Sequence, residues 1–336
     1  MKFSHMISVI DSHTAGCATR IVTSGFPIIP GRTMAAKKKY AEDHLTAIRK
    51  AILEEPRGHK DMVGAVLTAP TCDEADVGVL FIDPGMWENM SGHGAIGVAS
   101  AMIETGMVSF AEPITRVVLD TPAGLVECKA RIQNGVIESV TLRNVPSFLY
   151  KSAKILVPEI GEVKVDVAYG GDTYAIVGTD EIGTEITPRN ASRLAEIGLK
   201  IKEEANREID FIHPEKNHVR GIGGVRINTI PPPSRMHAKQ VVIWSDGLVD
   251  RSPCGTGCSA ALATSYAKGQ IEIGEETTQE SIIGTTFKAK IVKETKVGNL
   301  KAVIPEISGT AYITGLNTLL IDPRDPLKDG YLLTTT

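Results

Sequence analysis

Two stretches of this chain carry almost no charge: Gly94–Ile103 reads GAIGVASAMI and Gly257–Tyr266 reads GCSAALATSY. Small residues at helical length with no polar face predict helices buried on every side. Such a helix needs a shell of other elements around it, and the rest of the chain offers strands. Strand-like runs bounded by turn residues are Ile7–Ile10, Gly64–Thr68, Val77–Ile82, Arg116–Asp120, Leu125–Ile132, Ile137–Leu142, Val163–Tyr169, Thr173–Val177, Gln240–Trp244 and Lys288–Val292. Two buried helices among many strands predict an α/β (α+β) fold of two lobes, each a mixed sheet wrapped around a central helix. Two further helices are amphipathic: Tyr40–Glu54, opened by Glu42 and Asp43, and the charged Asn190–Arg207, which follows a proline.

The two uncharged segments are introduced alike. Ser91-Gly92-His93-Gly94 lies over Cys254-Gly255-Thr256-Gly257, at an offset of 254 − 91 = 163 residues in a chain of 336. Each follows an acidic strand-and-turn stretch, FIDPGMWENM in one case and WSDGLVDRSP in the other. This reads as a duplication: two similar halves, with the paired motifs expected to face each other across a cleft. The first lobe is expected over residues 1–125, the second over 126–307.

Composition narrows the function. Lysine and arginine number 36 against 40 acidic residues, a net charge of −4, and the largest basic cluster is Lys37-Lys38-Lys39, which argues against a nucleic-acid partner. No apolar run approaches the roughly 20 residues that cross a bilayer. The opening MKFSHMISVIDSH meets polar residues too early for a secretory signal, so a soluble, cytoplasmic protein is expected. Aromatic residues are 5% and glycines number 32, so the core is expected from Val, Ile, Leu and Ala. The five cysteines are odd in number and read as reduced thiols. Only Cys254 and Cys258 are close, three residues intervene rather than two, and no second pair completes a zinc set; no metal is expected.

The motifs carry chemistry. Their glycines let backbone approach a ligand, and the loop runs straight into a helix whose first N–H groups and positive dipole end suit a carboxylate. The same field is expected to lower the pKa of a thiol at the helix start. Cys254 is therefore a candidate base or nucleophile, and Ser91 holds the equivalent place in the other half. Two such groups on opposite faces of an α-carbon remove a proton from one side and return one to the other, inverting the centre. The helix ends stabilise the charge that develops in the carboxylate. No Walker loop and no strand-linked G-x-G-x-x-G fingerprint is present, and no cofactor is expected.

The strings MSGHGAIG (Met90–Gly97), DRSPCGTGCSA (Asp250–Ala260) and IDSHTAG (Ile10–Gly16), with EADVGVLFID and YGGDTYAIV, resemble the proline racemase superfamily along nearly the whole chain. That superfamily includes 4-hydroxyproline 2-epimerases and trans-3-hydroxy-L-proline dehydratases. The resemblance implies a two-lobed, diaminopimelate-epimerase-like fold, cofactor-independent two-base chemistry on a small imino acid, and a homodimer. It also implies that the C-terminal segment from about residue 308 returns to complete the first lobe. The family's catalytic pair falls on Ser91 and Cys254, and its substrate-contacting positions on Gly92, His93, Asp250, Gly255 and Thr256. His93 and the helix ends would hold the carboxylate, Asp250 the ring nitrogen. The commonest first motif, MCGHG, has Cys where this chain has Ser91, and the N-terminal Gly-Glu-Pro is replaced by Gly16-Cys17-Ala18. Serine in the first motif with cysteine in the second resembles hydroxyproline epimerases and some racemases. Dehydratases typically keep the first Cys and replace the second with Thr. A dehydratase and a non-catalytic imino-acid binder are the alternatives.

Plainer roles compete. Ser91 taken alone is a helix N-cap, and Cys254 alone an inert buried thiol. Asp250 alone is a turn residue or an ion partner of Arg251. Cys258, one turn past Cys254, reads as core packing, and Cys17 carries no assigned role. His13 and Thr14 shape the site without an assigned task. Asp172 reads as a turn residue, Glu203–Glu208 as a solvated helix face, and Pro231–Pro233 as a loop stiffener.

Overall fold

The computed structural model of the chain describes residues 3–229, 237–244 and 247–333. The Pro231–Pro233 run lies outside them. Its contacts divide the chain into two units: Met1–Met90 with Gly94–Val140 and Thr310–Thr336, and Ser91–His93 with Thr141–Gly309. No helix among the described residues is long and apolar enough to cross a membrane.

The first unit contains β1 (His5–Thr14), β2 (Cys17–Ser24), α1 (Met34–His44), α2 (Thr46–Leu53), β3 (Val63–Thr68) and β4 (Val77–Ile82). Helix α3 (Gly92–Glu104), β5 (Ile114–Thr121), β6 (Gly124–Gln133) and β7 (Val136–Arg143) follow. The unit runs past residue 125, where the sequence places its end, because β6 pairs with β5 from Gly124 to Arg131. Near its other end, β18 (Ala311–Ile321) pairs antiparallel with β1 from Ala311↔Thr14 to Ile321↔His5. The strand order is β18-β1-β2-β3-β4-β5-β6-β7. β2–β3 and β4–β5 are parallel.

Within α3 every residue from Gly92 to Ile103 is buried, as its uncharged sequence requires. Gly97 makes the close packing possible: a Cβ there would meet Thr14 Oγ1 at 3.3 Å and Ser12 Oγ at 3.4 Å. α1 and α2 bury Met34, Ala41, Ile48, Ile52 and Leu53 against Ile7, Val22, Val66 and Leu80 of the strands. They replace the single helix expected over Tyr40–Glu54. Thr33 caps α1 by accepting from the Ala36 N–H at 3.1 Å, and the chain leaves helical geometry at Leu45 (φ −121°, ψ 11°). That break lets Ile48, Ala51 and Ile52 face the core.

The second unit contains β8 (Ser147–Val157), β9 (Gly161–Tyr169), β10 (Thr173–Gly178), α4 (Thr179–Ile182), α5 (Ala191–Glu208), the short pair β11 (Ile212–His213) and β12 (Lys216–Arg220), β13 (Gly224–Asn228) and β14 (His237–Ile243). It continues with α6 (Gly255–Ala267), β15 (Glu276–Glu280), β16 (Thr286–Val297) and β17 (Leu300–Gly309). Its order is β8-β9-β10-β13-β14-β15-β16-β17, and β17 returns to β8, so eight strands close into a ring. β10–β13 and β14–β15 are the parallel pairs. α6 packs on β8, β9, β10, β16 and β17 as the central helix. α5 lies against β8, β13 and β14. Its Glu204 is buried beside Arg207, so the Glu203–Glu208 run is not wholly a solvated face.

The two units have one topology. In each, the third and fourth strands are parallel and joined through helices, the fifth and sixth are parallel and joined through the buried helix, and the motif opens that helix. Even the approach repeats, since β4 and β14 are each followed by an isolated antiparallel bridge, Ile82↔Trp87 and Ile243↔Val249. The sequence offset reflects this repeat.

Candidate active site

Ser91, Gly92 and His93 group by contact with the second unit, so all seven expected site residues belong to one body. The glycines explain how. A Cβ on Gly92 would lie 2.4 Å from Gly255 Cα, and one on Gly255 would lie 2.7 Å from Gly92 Cα. Real Cβ atoms do not approach so closely, so Gly92 and Gly255 meet backbone to backbone within the second unit through two missing side chains. Ser91 stands one residue before this contact and Cys254 one residue before it on the other strand of chain. Both are buried.

Cys254 is the N-cap of α6 at φ 58°, ψ 100°, a left-handed conformation uncommon outside glycine. Its Sγ accepts from the Gly257 N–H at 3.3 Å. The Cys258 N–H reaches the Cys254 carbonyl. Gly255 and Thr256 are the first residues of the helix, where a backbone N–H has no intrahelical acceptor and the helix dipole favours an anion. The geometry of the cap is held from behind. Asp250 Oδ1 accepts from the Ser252 N–H at 2.8 Å, and Ser252 Oγ accepts from the Cys254 N–H at 3.1 Å.

The thiol's acidity differs from the expectation. Burial pushes the Cys254 pKa well above the ordinary thiol value, and the Asp250 charge pushes it further; the Tyr174 and Gly257 hydrogen bonds oppose them. Desolvation outweighs the helix field, so Cys254 rests as a protonated thiol, and neutralising Asp250 would remove one of the influences that keep it so. In this state it is a weak proton donor, and it can act as a base only once it has been ionised.

His93 is buried, and its Nδ1 lies 4.0 Å from Asp250 Oδ2. Burial lowers the His93 pKa and Asp250 partly restores it, which favours a neutral imidazole. Asp250 is 1% exposed, and its Oδ2 accepts no hydrogen bond among the described residues. A buried carboxylate oxygen left open is costly unless a donor arrives. A cationic nitrogen suits the open Asp250 oxygen.

Sequence reasoning missed Tyr174 and Arg226. Tyr174 on β10 places its hydroxyl 3.5 Å from Cys254 Sγ and within hydrogen-bond reach of Thr256 Oγ1. The Thr256 hydroxyl is thus already engaged, leaving its backbone N–H for a ligand. Arg226 is 1% exposed and bonds Gln279 Oε1 at 2.7 Å, Asn228 Oδ1 at 2.8 Å and Cys258 Sγ at 3.6 Å. Cys258 in turn donates to the Pro253 carbonyl at 3.0 Å. Cys258 therefore braces the loop that carries Cys254 besides filling the core. The available signal is that a buried tyrosine or arginine must find polar partners.

Comparison with known proteins decides the family. The description "Proline racemase" matches residues 9–332. The chain belongs to the proline racemase family. It is 48% identical to the proline racemase of Clostridioides difficile over 334 residues, 99% of this chain and 100% of that one. It is 41% identical to a 4-hydroxyproline 2-epimerase of Streptosporangium roseum, again over 99% of this chain and 100% of the relative. Among solved structures, a hydroxyproline epimerase from Agrobacterium vitis with bound trans-4-hydroxy-L-proline superimposes with a TM-score of 0.96 at 35% identity, covering 100% of this chain and 97% of that one. Membership in the proline racemase family makes the chain an isomerase and accounts for the repeated eight-stranded units.

Proposed function

We propose that the protein inverts the α-carbon of proline or 4-hydroxyproline by a two-base mechanism that needs no cofactor, with Cys254 on one face and Ser91 on the other. The observation that carries this reading is the Gly92–Gly255 contact, which sets the two glycines together with a proton-carrying residue immediately before each. The substrate carboxylate takes the N–H groups of Gly255 and Thr256, with Gly92 and His93 beside them. The ring nitrogen, a cation, takes the open Oδ2 of Asp250. That pairing removes the negative charge that opposes ionisation of Cys254, so the substrate itself brings the thiol toward its thiolate. Proton removal from Cα leaves charge that spreads into the carboxylate, where the helix N–H groups stabilise it.

The same reading takes the working form to be a cytoplasmic homodimer. Leu316 and Leu320 on one face of β18 are exposed, Met6, also exposed, pairs with Leu320, and Tyr312 is exposed beyond the bulge that separates it from Leu316. An apolar strip of this kind suits self-association. Light scattering on the purified protein, with Leu316→Glu as the comparison, measures it.

Incubation with L-proline, trans-4-hydroxy-L-proline and trans-3-hydroxy-L-proline, followed by chiral separation and mass measurement, tests the activity. Inversion at constant mass on the first two supports it. Loss of water from the third without inversion of the others makes the protein a dehydratase, and binding without reaction makes it a binder.

A further inference from the structure

The geometry points to Tyr174 as a positioning residue for the Cys254 thiol: its phenol, tied to Thr256, fixes the direction of Sγ and donates to it when sulfur carries charge. This deepens the proposed two-base reading and rests on it. Tyr174 is fully buried in an apolar cluster with Ala168, Val242, Trp244, Leu248 and Ala260, its ring meeting Trp244 edge-on at 5.2 Å. A phenylalanine would fill that volume without a hydroxyl to satisfy. The hydroxyl instead closes a triangle, with Cys254 Sγ at 3.5 Å, Thr256 Oγ1 in hydrogen-bond contact, and Thr256 Oγ1 itself 3.6 Å from the sulfur.

The triangle supplies what Cys254 lacks. Asp250 opposes ionisation of the thiol from its own loop, and Cys258 faces it from α6 with the Arg226 cation behind Cys258. His93 faces Asp250. Two donors oppose the Asp250 charge directly at sulfur: the Gly257 N–H, fixed by the helix, and the Tyr174 hydroxyl, fixed by β10. Burial keeps the Tyr174 phenol protonated throughout the working pH range, so it remains a donor and never competes as a base. Either hydroxyl can donate in the Tyr174–Thr256 contact, and the arrangement in which Thr256 donates to the phenol oxygen leaves the phenol proton for sulfur. The thiol then keeps one direction as it alternates between protonated and ionised forms.

The test uses the full-length protein and two replacements at 174: Tyr174→Phe, and site-specific 3-fluorotyrosine, nearly isosteric with a more acidic hydroxyl. Two readouts are taken. One is the pH dependence of iodoacetamide labelling at Cys254, followed on its peptide by mass spectrometry; the other is kcat and KM for inversion. Removing one hydrogen bond to the ionised form should move the labelling profile of Tyr174→Phe up by about one pH unit. The kcat should fall about tenfold while KM stays within about threefold. Fluorotyrosine should move the labelling profile in the opposite direction. Unchanged profiles and unchanged kcat in both variants overturn the inference and leave Tyr174 a packing residue. Labelling needs no turnover, so a wild-type protein that fails to invert any imino acid sinks the proposed function, while the labelling shift separately judges the Tyr174–Cys254 contact.

Discussion

Replacing Gly92 by alanine sets two physical effects against each other, and the structure says which wins. In the first turn of a helix, Gly→Ala at a compatible backbone position ordinarily stabilises a protein by about 0.4–1 kcal/mol. Here the new methyl would stand 2.4 Å from Gly255 Cα and 2.9 Å from the Gly255 carbonyl carbon. Carbon atoms rest at about 3.5–4.0 Å, so the two glycines must part by about 1 Å. The atoms in the way are backbone, and they cannot rotate aside. Overpacking of this kind costs about 1–3 kcal/mol, more than the helical gain. The kinetic cost is larger, because a misplacement of about 1 Å between reacting groups can lose about 10²-fold in rate. Gly92→Ala should therefore lower the melting temperature and reduce kcat/KM about 100-fold, measured by calorimetry and by chiral chromatography of initial rates. A variant with wild-type kcat/KM and an equal or raised melting temperature refutes the reasoning.

Asp250→Asn keeps the Oδ1 acceptor for Ser252 and deletes the charge proposed to receive the substrate nitrogen, so kcat/KM should fall by at least about 10²-fold while the protein stays folded; initial rates and circular dichroism check both. His213, packed edge-on against Phe148 and Tyr169, has its pKa pushed down to about 4 by burial and then by the Lys216 charge. Its neutral form fits the fold and its cation does not. This group's stability contribution is therefore intact above about pH 6.5 and is lost as pH falls toward 4, by at most about 3 kcal/mol. His213→Asn, whose side-chain oxygen can still accept from the Glu215 N–H, should flatten urea-unfolding free energies across that window. Asn144 donates to the Gly170 carbonyl at 2.6 Å and to Ser259 Oγ at 2.8 Å inside the second unit. Asn144→Ala should cost about 1–3 kcal/mol in the same unfolding experiment, by orphaning that carbonyl.

What the sequence disclosed depended on how local its cause was. The buried helices were legible because GAIGVASAMI and GCSAALATSY lack any polar face. The strands that escaped detection, Cys17–Ser24, Leu300–Gly309 and Ala311–Ile321 among them, contain charged or polar residues that break a simple run. Ala311–Ile321 is held in place by β1, some 300 residues away in sequence, and no local pattern encodes that pairing. The break at Leu45 carries no glycine or proline and follows from packing on the strands. At the site, the residues with distinctive chemistry were readable from the two motifs. Their acidity was not: the rule that a helix start lowers a thiol's pKa ignores burial, and Cys254 is 2% exposed. Tyr174 stayed hidden because a tyrosine in an apolar strand looks like core until its hydroxyl is placed beside sulfur.

The most direct measurement of two-sided proton transfer is the isotope content of the first product formed in deuterium oxide. L-proline or trans-4-hydroxy-L-proline is supplied unlabelled, and the reaction is stopped at a few per cent conversion. If sulfur and oxygen act from opposite faces, the inverted product carries deuterium at Cα while the unreacted substrate remains protium. Inverted product that retains its original protium would mean one group lifts and returns the same hydrogen, and the pairing of Ser91 with Cys254 would be wrong.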